Sequence, residues 1–163
     1  MSIPLSKIRE QIDETDNKLV DLLNERAALV LEVKRTKQAG NIDIYAPERE
    51  RQILDRILGR AVGGAFPTDA LERIFSNIIS ASRSLIGELS VGYVGPESSL
   101  AHNAALKQFG ISPRYLPERS IAEVIAKVER GETHFGVVPL RLGSSGIVGE
   151  TVEALVQSKL VII

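Results

Sequence analysis

The sequence predicts an α+β protein: three helices in an all-α N-terminal domain, residues 1–88, then a small α/β domain, residues 89–163, built on a parallel sheet. Three observations carry this. Leu5 to Gln38 contains no Pro or Gly and is rich in Leu, Ala, Glu, Lys and Arg, all good helix formers. Its apolar residues recur at three- and four-residue spacing. After Gly87 to Ser90 the period changes, and short apolar runs alternate with helical ones, the pattern of a parallel α/β unit.

The first helix is the organising element. Ile8, Ile12, Leu19, Leu22, Leu23, Leu29, Val30 and Val33 form one apolar stripe, with Ser6 as the expected N-cap and Gly40 and Asn41 as the expected stop. Two cations, Arg26 and Lys37, interrupt it. They are 11 residues apart, so they return to within about 20° of each other, about 16 Å apart along the axis. That places both on the face expected to be buried, where a charge needs a partner. Two long side chains leaning together suit one small anion. Arg9 lies 17 residues before Arg26, about 25 Å away and on another face, so it is expected to serve the site of a partner chain. A helix of about 50 Å exceeds what a compact domain this small needs, and its stripe calls for a second chain to cover it. A single helical cation is ordinarily solvated. The three carry weight only together.

Composition removes several classes of function. The chain of 163 residues has a net charge of −1, which supports neither nucleic-acid nor membrane-surface binding. It has no Cys, so disulfides, thiol chemistry and Cys-ligated zinc are excluded. His102 and His134 have no metal-ligand spacing. There is no Trp, which argues against stacking platforms for bases. No apolar run approaches 18 residues and the N-terminus lacks a signal-peptide core, so the cytoplasm is the expected location.

The remaining elements follow in order. Gly40 to Ala46 is a connection, and Pro47 suits the first turn of a second helix, to about Arg60. Ile53, Leu54, Ile57 and Leu58 are expected to face inward. Its first turn carries Glu48, Arg49, Glu50 and Arg51, either a solvated helix start or the mouth of a site. Thr68 is the expected cap of a third helix, to about Ile86, with Ser82 near its end. Strands are expected over Val91 to Gly95, Arg114 to Leu116, His134 to Leu140 and Lys159 to Ile163. Helices are expected over Ser98 to Phe109, Ser120 to Arg130 and Gly149 to Gln157. About 73 residues allow three or four strands, and the apolar run Leu160 to Ile163 reads as though a longer domain had been cut.

These features resemble a known family. The stretches IREQIDETDNKLVDLLNERAALVLEVKRTK, YAPERE and IFSNIISASRSL look like the all-helical chorismate mutase domain, over roughly residues 3 to 88. VGYVGPESSLAHNAALKQFG and GETHFGVVPL with GIVGETVEAL resemble the start of a prephenate dehydratase. The arrangement is similar to the bifunctional chorismate mutase/prephenate dehydratase family of phenylalanine biosynthesis. The resemblance implies an intertwined homodimer, chorismate as the dicarboxylate substrate, and no metal or cofactor. It places the cationic set on Arg9, Arg26, Lys37 and Arg49. Glu50 becomes the acceptor for the substrate hydroxyl and Ser82 a contact to a carboxylate. Lys37, Arg26 and Glu50 are the implied catalytic residues. Arg9, which is implied to cross into the neighbour's site, agrees with its reach along the helix.

The chain departs from that pattern in places. Ile86 stands where the family usually has a Gln or Glu donor to the ether oxygen, and Ala46 replaces an acid. Ser98, Ser99, Leu100 and Ala101 stand where the dehydratase pattern expects Gly-Thr-aromatic-Ser, and Arg141, Leu142 and Gly143 where it expects Glu-Asn-Ser. The expected second dehydratase lobe, with its Thr-Arg-Phe motif, and the regulatory domain are absent, so no dehydratase activity is expected, and His102 and His134 are expected to be surface or packing residues. Two other functions suit the same residues. One is cleavage of isochorismate, or rearrangement of an amino analogue of chorismate, on the same fold. The other is a non-catalytic binding or regulatory role beside an aromatic-pathway enzyme.

Overall fold

The computed structural model describes residues 3–37, 44–143 and 146–163. The chain forms two compact units, Met1–Asp43 and Ile44–Ile163.

In the first unit a single helix, α1 (Leu5–Lys37), is the only described element. Its start differs from the expected one. The Pro4 carbonyl accepts from the Lys7 and Ile8 amides at 3.0 and 3.2 Å, and Ser6 lies inside the first turn rather than capping it. The expected stop at Gly40 and Asn41 lies outside the described residues. The apolar stripe forms as a stripe, but its side chains are exposed: Leu19 to 54%, Leu22 to 59% and Leu29 to 56%. No other described element of this unit covers it. The buried face expected around Arg26 is therefore not made within the unit.

The second unit begins with α2 (Pro47–Ala61) and α3 (Thr68–Ser84), which pack against each other. Pro47 occupies the first turn of α2, where its missing N–H is harmless. Pro67, not Thr68, is the N-cap of α3, its carbonyl accepting from the Leu71 amide at 3.0 Å. Three parallel strands follow, β1 (Ser90–Val94), β2 (Arg114–Glu118) and β3 (Phe135–Val137), in the order β2-β1-β3. Val91 stands opposite Tyr115 on one side and Phe135 on the other. The crossovers are α4 (Leu100–Phe109) and α5 (Ile121–Glu129), each resting on β1. Ser99 caps α4 and Ser120 caps α5, each hydroxyl accepting a backbone amide at 3.2 Å.

Two short strands not expected from the sequence, β4 (Arg141–Leu142) and β5 (Gly146–Ile147), pair antiparallel ahead of α6 (Gly149–Gln157). The strand expected over Lys159 to Ile163 does not form. Its β-branched run has strand propensity but pairs with neither outer strand of the sheet, and Leu160 to Ile163 instead line an apolar cavity of about 560 Å³ with Phe109, Val124 and Phe135. One core gathers Tyr45, Leu89, Val91, Ala105 and Phe109, so Tyr45, two residues ahead of α2, packs with the sheet and α4.

Candidate active site

α1 fixes three of the expected cations. Arg9 is exposed. Arg26 is half-buried, and burial pulls its guanidinium below the ordinary arginine range. Lys37 is the last residue of the helix, and its side chain lies outside the described residues.

The other candidates belong to the second unit. The Ala46 carbonyl accepts from the Glu50 amide at 3.0 Å, opening α2. Arg49 is exposed, its Nη1 donating to Gln52 Oε1 at 3.4 Å. Glu50 turns inward, and its Oε1 accepts from Arg83 Nη1 at 2.7 Å. Burial favours its neutral form and raises the carboxyl above the ordinary range. The charge and hydrogen bond of Arg83 pull it back only in part. The Ser82 hydroxyl donates to the Ile78 carbonyl at 2.6 Å. Ile86 follows α3, its amide donating to the Arg83 carbonyl at 2.9 Å, and its apolar side chain offers no donor. Glu50 is thus brought against the helix that carries Ser82, through an arginine not among the expected residues.

That arginine is the main omission from the sequence-based site. Arg83 is 5% exposed. One end of its guanidinium holds Glu50. The other donates to the Phe109 carbonyl and reaches Ser80 Oγ at 3.4 Å. Its carbon lies 5.0 Å from the Tyr45 ring centre, and the Tyr45 hydroxyl accepts from Gln108 at 2.8 Å. A cleft of about 620 Å³ opens here between α2, α3 and α4, lined by Tyr45, Glu50, Arg51, Arg73 and Gln108 among others. The signal was present: Arg83 is in phase with Ile79 and Ile86, as Arg26 is with its own stripe.

The Gly-Pro loop after β1 places Ser98 at a φ of 66°, with its amide donating to His102 Nδ1 at 2.9 Å. The His102 ring stacks on Tyr93, centres 4.6 Å apart, and meets Tyr115 edge-on. Arg141 is exposed, while the Leu142 side chain lies outside the described residues.

Residues 8–86 match the family described as chorismate mutase type II, and residues 91–163 match prephenate dehydratase. The chain is 39% identical, over 157 residues, to a bifunctional chorismate mutase/prephenate dehydratase of Aquifex aeolicus, covering 94% of this chain and 43% of that protein. The chain belongs to the bifunctional chorismate mutase/prephenate dehydratase family. A relative of the same name from Stutzerimonas stutzeri is 35% identical over 163 residues, covering 97% of this chain and 44% of the relative. The chain therefore spans less than half the length of the curated relatives it matches. A prephenate dehydratase structure from Streptococcus mutans is similar over 44% of this chain and 37% of that one, at 36% identity and a TM-score of 0.42. Within the mutase segment of this family member lie all seven expected site residues and Arg83.

Among the described residues, no three His, Cys, Asp or Glu side chains gather as a metal site, and no helix is long and apolar enough to cross a membrane.

Proposed function

We propose that the helical segment, residues 1–88, is a chorismate mutase and that it acts in the cytoplasm in the synthesis of aromatic amino acids. The observation that carries this is one 33-residue helix holding Arg9, Arg26 and Lys37 at fixed separations inside the segment that matches the mutase family. The reaction is a unimolecular rearrangement. One C–O bond of the ether breaks, one C–C bond forms, and no proton, nucleophile or cofactor enters. The protein has to hold the reactive conformer and stabilise negative charge growing on the ether oxygen. Arg26 and the partner's Arg9 clamp the two carboxylates, a geometry suited to the guanidinium fork. Lys37 donates to the ether oxygen, where its charge is worth most in the transition state. Glu50 accepts from the ring hydroxyl, and Arg49 and Ser82 complete the anion contacts.

Ile86 stands where the family usually has a Gln or Glu donor, so on this reading the site works with one donor fewer. The α/β segment, residues 89–163, is proposed to carry no dehydratase activity in this chain, because Ser98 to Ala101 and Arg141 to Gly143 do not supply the groups that chemistry uses in the family.

The test follows chorismate by absorbance and product mass, using the full chain beside Ile86→Gln. The parent is expected to form prephenate and no phenylpyruvate. Ile86→Gln is expected to raise kcat by up to roughly 100-fold. Failure of both proteins to consume chorismate would overturn the assignment. Turnover of isochorismate or an amino analogue in its place would move it to that substrate on the same residues.

A further inference from the structure

Glu50 is the one acidic group that the proposed function assigns to the substrate, and its carboxylate is held from an unexpected direction. Arg83 reaches it from α3 with Nη1, at 2.7 Å from Oε1. The same guanidinium donates from Nη2 to the carbonyl of Phe109, the last residue of α4. The last carbonyls of a helix have no partner within it and carry its negative dipole, so this is a strong foothold for a cation. Ser80, one turn before Arg83, reinforces it: its hydroxyl donates to the Phe109 carbonyl at 3.1 Å and accepts from the Ser112 amide at 3.1 Å. The Tyr45 ring closes the face of the guanidinium. A cation this buried has its rotamer fixed by these contacts, and it binds only Oε1, which leaves Oε2 for a ligand.

We propose that Arg83 is a positioning residue for Glu50, orienting its carboxylate from an anchor on α4, so that the α/β half of the chain takes part in building the mutase site. This rests on the mutase assignment above.

The experiment is a double-mutant cycle in the full chain with Glu50→Gln, Arg83→Met and both together, read as mutase kinetics and as Tm. Arg83→Lys serves in place of Arg83→Met if that protein does not fold, since an ammonium cannot span Glu50 and Phe109 with a rigid fork. Arg83→Met is expected to lose roughly 10- to 100-fold in kcat/KM, the scale of a misplaced catalytic group. The double variant is expected to be no slower than Glu50→Gln alone. The acid limb of the pH profile should move to higher pH in Arg83→Met, because the charge and hydrogen bond that hold the Glu50 proton off are gone. The other ionisable groups around this cleft are Tyr45, Arg51, Asp55, Glu72, Arg73 and Lys107, and they are unchanged in these proteins. Additive losses in activity, or an unmoved acid limb, would show that Arg83 supports the fold alone and would overturn the proposal. Independent effects on Tm would overturn the pair itself. Coupled Tm values in a parent that leaves chorismate untouched would instead bring down the mutase assignment, leaving the pair as structure.

Discussion

Glu50 sits under two opposed influences, and their balance has a sign. Burial holds its carboxyl above the ordinary range, against the pull of Arg83. A carboxyl raised on folding binds its proton more tightly in the folded chain than in the unfolded one. Its contribution to stability is therefore fully present below the unfolded value, about 4.3, and is lost as pH rises through the folded value. Urea titrations from pH 4 upward are expected to show that loss in the parent and a flatter dependence in Glu50→Gln. An identical slope in the two proteins would refute it. Gly110 makes a second prediction. Its φ is +75°, and a Cβ there would meet Ser80 at 2.5 Å. Gly110→Ala combines a left-handed backbone with a collision against α3, so a loss of about 2–4 kcal/mol in urea denaturation is expected. Arg83 was legible as a cation in phase with Ile79 and Ile86, but it lies near a helix end, a place where cations are favoured anyway. Its partners, Glu50 and the Phe109 carbonyl, are 33 and 26 residues away, beyond any local pattern.

At the scale of elements, all six helices among the described residues were legible because each keeps its period or cap over two turns or more. Ser120 shows the best case: Glu123 three residues on donates its amide to the serine and accepts from the Arg119 amide at 2.8 Å. The misses share a cause. β4 and β5 have two residues each, too short for a period to show. Lys159 to Ile163 has the composition of a strand, but a strand exists only where an edge meets it, and composition does not reveal edges. α4 needs its neighbours more than its own sequence suggests. Its C-terminal end is satisfied by Arg83 and Ser80 at Phe109 and by the Tyr115 hydroxyl at the Ala105 and Gly110 carbonyls. That burial pushes Tyr115 up to about 12. The seam between α3 and α4 is thus polar at its centre, with a charge that has to stay paired.

At the scale of the whole molecule, among the described residues, α1 carries a long exposed apolar stripe. Leu19, Leu22, Leu23 and Leu29 lie on one helical face and are each 44–59% exposed. An apolar face of this length is far more than a soluble monomer ordinarily leaves open. We propose that a second α1, in the homodimer the family resemblance implies, is the cover of matching length, which would also bring the partner's Arg9 to the site. Light scattering is expected to give twice the chain mass for the parent and the monomer mass for Leu22→Glu, with mutase activity falling alongside. A parent that stays monomeric at high concentration would remove both the dimer and the crossing of Arg9.

The order of the sheet bears on how the chain emerges during synthesis. β1 is made first among the strands but lies in the middle, and its second neighbour arrives with β3. Ser90 and His134, joined across that pairing, are 44 residues apart. At 5–20 residues per second, a ribosome takes roughly 2–9 s to supply that distance. Through that interval Val91 and Tyr93, wholly buried at the end, have at most one strand beside them. The apolar strand must wait, and α4, which is made before β3 and in the folded chain rests on β1 and is tied to α3 at Phe109, is available to shelter it.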